Sequence, residues 1–97
     1  MKILELLDGP EKWTQGAFAR DRRGEDVDSD RPEAVCWCLS GAITKCHLDS
    51  LRSAAEIDNK LRNTCEALYG TSNYVDWQDR PDTTFEQVRA LLVLADV

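Results

Sequence analysis

The sequence has no apolar run approaching the about 18 residues of a membrane-spanning helix, so no crossing of a bilayer is expected. It has no glycine-rich phosphate loop and no dinucleotide fingerprint, which removes the commonest nucleotide sites. The single histidine, His47, has only Asp49 and Ser50 close by in sequence, and both are better placed to cap a helix than to complete a nucleophile triad. Basic residues are scarce: 12 Lys and Arg against 18 Asp and Glu leave a net charge of −6, whereas nucleic-acid binding usually demands a basic face. The acidity lies mostly after Gly24, and the one basic cluster, Arg20, Arg22 and Arg23, reads as a solvated hairpin tip rather than a phosphate site. No repeat, low-complexity tract or linker divides the chain, and Met1 to Gly9 is too short and too acidic for a secretory signal. The expected setting is cytoplasmic.

What is present suffices for one core. The 97 residues are 42% hydrophobic, with three tryptophans and two phenylalanines, which argues against disorder and for one domain over residues 1–97. Ile3, Leu4, Leu6 and Leu7 suggest a short helix stopped by Asp8-Gly9-Pro10. Trp13 to Arg20 has no helical face and contains Gly16, so it reads as extended. Asp21-Arg22-Arg23-Gly24 then turns the chain, and Glu25-Asp26-Val27 returns antiparallel.

Asp30-Arg31-Pro32-Glu33 has the pattern of a capping box, which predicts a helix from about Pro32 with an apolar stripe of Val35, Cys38, Leu39, Ala42, Ile43 and Cys46. Gly41 in its middle costs up to about 1 kcal/mol relative to alanine, so a neighbouring helix is expected to cross closely over Gly41-Ala42. Asp49 or Ser50 caps a further helix carrying Leu51, Ala54, Ala55, Leu61, Cys65 and Leu68, and Gly70 ends it. After an irregular segment from Thr71 to Asp82, Thr83-Thr84-Phe85-Glu86 makes a second capping box. Phe85, Val88, Leu91, Leu92 and Ala95 then face the core. The resulting fold class is mainly α (α+β), a compact bundle of three to four helices with a short β-hairpin near residues 13–27.

The four cysteines look like chemistry and read better as core. On a helix at roughly 100° per residue, Cys36 and Cys38 point about 200° apart, while Cys38 and Cys46 share a face some 12 Å apart, so neither pair suits one zinc. Free thiols in a reducing compartment follow, with only a pairing to Cys65 sterically open. Asp26, Asp28 and Asp30 mimic the alternation of a calcium loop, but Arg31 and Trp37 occupy the places that need glycine and a bidentate carboxylate.

The polar residues left on irregular segments are the candidate binding site: Gln15, Arg20 and Asp21 before the first turn, and Trp77, Asp79 and Arg80 before the last helix. Loops on a rigid scaffold carry recognition more often than helix interiors do. The competing structural reading has Trp13, Trp37 and Trp77 filling one core while Arg20 and Asp79 pair across two loops.

Trp13-Thr-Gln-Gly-Ala-Phe-Ala-Arg-Asp21 with Gly24, Trp37-Cys-Leu-Ser-Gly-Ala-Ile43, and Trp77-Gln-Asp79 with Pro81 and Thr84 occur in this order. In this the chain resembles a family of small uncharacterised bacterial and phage proteins, over nearly its whole length. The resemblance implies one fold unit with no established activity. Gln78 stands where asparagine is expected.

The absence of a catalytic set favours a non-catalytic protein-interaction or accessory module, with no cofactor, no metal and no catalytic residue. Its partner is an unknown protein or a second copy in a homodimer, met through a helical face or the Trp77 loop; no nucleic acid or membrane is expected. The alternative is a small ligand- or metal-binding protein, or a thiol-dependent enzyme using Cys36 or Cys46 with His47, which requires a cysteine with a depressed pKa.

Overall fold

The structure, a computed structural model, covers residues 1–97. Gly24 adopts a left-handed φ of 79°, and the Asp21 carboxylate accepts from the backbone N–H groups of Arg23 (2.9 Å) and Glu25 (3.0 Å). This turn, with an aspartate bonding its own downstream backbone, joins β1 (Ala19–Arg20) to β2 (Asp26–Val27) with Ala19 opposite Val27. The expected hairpin is therefore present. A third strand, β3 (Cys36–Trp37), pairs antiparallel with the other side of β1 and gives the order β2-β1-β3.

That third strand lies where the sequence predicts helix. Arg31 donates its N–H to Asp28 O and Ala34 to Arg31 O, each at 3.1 Å, so Asp30 to Glu33 forms turns, and Val35 N–H reaches Arg20 O at 2.9 Å. Sheet pairing takes backbone donors that a helix from Pro32 would have used, and Pro32 has none to offer. The helix, α2 (Leu39–Cys46), starts after the strand, with Cys38 as N-cap: its sulfur accepts from Gly41 N–H at 3.3 Å. Leu39, Ala42 and Ile43 are buried as their spacing predicts.

Gly41 is tightly packed, but not by a crossing helix. A Cβ built there would stand 1.9 Å from the Phe18 carbonyl oxygen. The same oxygen accepts from Cys38 N–H at 3.1 Å, so the chain entering β1 lies directly on the first turn of α2.

The remaining helices follow their caps. The first is α1 (Ile3–Leu6), with a 3₁₀ turn at Pro10–Lys12 behind it. Ser50 Oγ accepts from Ser53 N–H at 3.1 Å to open α3 (Leu51–Tyr69), and Gly70 closes it in the left-handed region. Its inner face steps through Ile57, Leu61, Cys65 and Tyr69. Leu51 and Leu68, expected on that face, are 92% and 41% exposed. Around the helix Leu68 sits about 60° from Cys65 and about 100° from Tyr69.

The segment read as irregular holds a one-turn helix, α4 (Tyr74–Gln78), opened by Asn73 Oδ1 accepting from Asp76 N–H at 3.1 Å. It buries Tyr74, Trp77 and Gln78. The last helix, α5 (Phe85–Ala95), has its capping box one residue later than predicted: Thr84 Oγ1 accepts from Gln87 N–H at 3.3 Å, and Gln87 Oε1 accepts from Thr84 N–H at 3.0 Å. Thr83 is buried instead, its hydroxyl donating to Trp77 O at 2.6 Å. The fold is thus mainly helical, five helices around one apolar cluster with a small three-stranded antiparallel sheet at its side. None of the helices is long and apolar enough to cross a membrane.

Candidate functional site

Two irregular segments distant in sequence meet face to face. Gln15 Nε2 donates to Gln78 O at 2.7 Å and to Arg80 O at 2.9 Å. Gly16 N–H donates to Asp79 Oδ1 at 3.0 Å, and Gln78 Nε2 also donates to Asp79. The Gln78 carbonyl oxygen of the side chain, almost fully buried, accepts from Trp13 Nε1 at 2.8 Å and from Leu39 N–H at 3.3 Å. Gln78 is therefore the node at which the three motifs join, and the residue that departs from the expected asparagine carries that role.

The six residues singled out by sequence fall into three places. Gln15, Asp79 and the backbone of Arg80 form the junction itself, while the Arg80 guanidinium lies 3.9 Å from Asp76. Trp77 points inward and is 4% exposed, its ring stacked on Tyr69 with centroids 4.5 Å apart. Arg20 binds the loop to the hairpin: Nε donates to Thr14 Oγ1 at 3.1 Å, Nη2 to Gln15 O at 3.1 Å, and Nη1 to Gly24 O at 3.1 Å and Asp26 Oδ1 at 2.7 Å. The expected pairing of Arg20 with Asp79 is not formed, because Asp26 is the cross-strand neighbour of Arg20 and takes its charge. Asp21 stays at the hairpin tip.

The thiols are dispersed. All four are free, and no three His, Cys, Asp or Glu side chains converge as a metal site would require. Burial pushes the thiols of Cys38, Cys46 and Cys65 up from their ordinary value. At Cys38 the Gly41 and Ser40 N–H groups oppose that shift without reversing it. A raised thiol is a weaker nucleophile at neutral pH. Every buried side-chain nitrogen and oxygen has a hydrogen-bond partner.

Beside the junction lies a groove of about 640 Å³, to which Phe18, Val75, Asp28, Arg31, Cys38 and Asp79 contribute. Phe18 is 64% exposed. Sequence reasoning passed over it, yet the signal was there: in an extended segment alternate side chains face opposite sides, and Ala19, the next residue, is the one that is buried. In the sequence Asp28 stands out only through its likeness to a calcium loop, and Val75 lies in the Thr71 to Asp82 segment that shows no regular pattern.

No curated protein and no solved structure matches the chain. One family does: with the Trp13, Trp37 and Trp77 motifs joined at Gln78, the chain belongs to the family of unknown function DUF6197, which matches it over residues 2–95.

Proposed function

We propose that the protein is a non-catalytic interaction module, presenting the groove beside the motif junction to another polypeptide. One observation carries the reading. The polar side chains of the motifs are engaged in holding one loop to another, while the large apolar side chain next to them, Phe18, is left in solvent. A catalytic constellation needs polar groups aimed at a reacting atom, whereas a recognition surface needs accessible apolar anchors on a rigid base. The raised thiol of Cys46 removes support from a nucleophile paired with His47. Free thiols fit a reducing, intracellular setting for this role.

Trp77 is not a suitable probe of binding, because it is core. A photoreactive phenylalanine analogue at position 18 is. Irradiated in the protein's native cells, it should give an adduct with a polypeptide, either a second copy or another protein. The same analogue at the exposed position Leu94 is the control. No adduct at position 18 beyond that at position 94 would contradict the reading.

A further inference from the structure

We propose that the groove takes a basic peptide segment carrying at least one large apolar side chain, with Phe18 and Val75 contacting the apolar group and Asp28 and Asp79 the cations. The inference rests on the interaction reading and names the chemistry of the partner. Its first support is that Phe18 is fixed outward. Its carbonyl is bonded to Cys38 N–H and lies against Gly41, so the backbone cannot rotate to bring the ring inside. Val75 stands likewise on the outer side of α4, whose other side carries the buried Tyr74, Trp77 and Gln78. Two apolar side chains from separate segments thus border one groove, Phe18 64% and Val75 38% exposed.

The second support is charge complementarity. Ala19 is opposite Val27 and Arg20 opposite Asp26; one step further along this register, Asp28 falls opposite Phe18. Three aspartates, Asp26, Asp28 and Asp79, line the groove against one arginine, Arg31. Asp26 is matched by Arg20 at 2.7 Å, and Arg31 lies 3.9 Å from Glu33. Asp28 and Asp79 form no ion pair within the chain, so the groove's unmatched charge is negative. The whole chain, at −6, adds a field of the same sign that draws a cationic segment and repels an acidic one.

The test is selection of a random peptide library displayed on phage against the full protein, with Phe18→Ser and Asp28→Lys as comparison baits. Both positions are exposed, so both variants keep the melting temperature of the parent, which is checked first. Peptides rich in Lys or Arg with a large apolar residue should be enriched, and synthetic copies should bind each variant about tenfold or more weakly. Enrichment of neutral or acidic peptides, or basic peptides that bind both variants undiminished, would overturn the groove's assignment and leave the interaction reading in place. Absence of any enrichment would overturn the assignment too, and the crosslink at position 18 decides the interaction reading separately.

Discussion

Gly41 shows how one residue's role can be legible in kind and misread in cause. A glycine inside a helix signals close approach, but sequence periodicity offers only other helices as candidates. The actual neighbour is a backbone carbonyl, Phe18 O. Gly41→Ala normally gains helix propensity of up to about 1 kcal/mol; here the methyl requires the strand entry to move away from α2. We expect a loss of about 3 kcal/mol, at the upper end of overpacking costs, seen as a melting temperature lower by roughly 10–20 °C. A gain in stability would mean that the two segments are not in contact. Gln78 makes a related case. Gln78→Ala leaves Trp13 Nε1 and Leu39 N–H without their acceptor, which should cost about 2–3 kcal/mol in urea unfolding. A loss under about 0.5 kcal/mol, the level of ordinary surface changes, would show that the motif junction does not hold the loops together.

At the scale of elements, α4 is too short to stand by itself and is clamped to α3. Tyr74 donates its hydroxyl to Asp58, Arg62 Nε donates to the same carboxylate at 2.8 Å, and the Arg62 guanidinium lies over the Tyr74 ring, 5.8 Å from its centroid. Burial works to raise the Asp58 carboxyl, but the hydrogen bonds from Tyr74 and Arg62 and the charge of Arg62 outweigh it, and the net shift is downward. The Tyr74 hydroxyl is raised well above its ordinary value, by burial first and then by the bond to Asp58 and its charge. A lowered carboxyl contributes stability above its unfolded value of about 3.9, lost as pH falls through the folded one; a raised phenol contributes below about 10, lost as pH rises beyond it. The urea midpoint should therefore fall at both ends of the pH range, and Tyr74→Phe should shrink both falls. Superimposable pH profiles for parent and variant would contradict the clamp. The five-residue α4 and the two-residue β3 were not legible because neither is long enough for its pattern to repeat. At Asp30 to Glu33 a good capping pattern was overridden by pairing of the next residues with β1. Where three or more turns and a cap coincide, as in α3 and α5, the sequence located the element, though it missed the cap of α5 by one residue.

For the molecule as a whole, the residues that look chemical are used by the fold. The order of the three motifs along the chain marked them as a set, but their meeting at Gln78 depends on how α2, α4 and the Trp13 loop pack, which no local pattern encodes. The groove was the least legible feature, since it belongs to residues that the apolar stripes leave over. The most direct test of this account is the native mass of the purified, untagged protein compared with its denatured mass. The account predicts polypeptide alone, with all four thiols reduced and no added mass. A mass excess matching zinc or an organic ligand would contradict it and place a metal or ligand site where we see only core and brace.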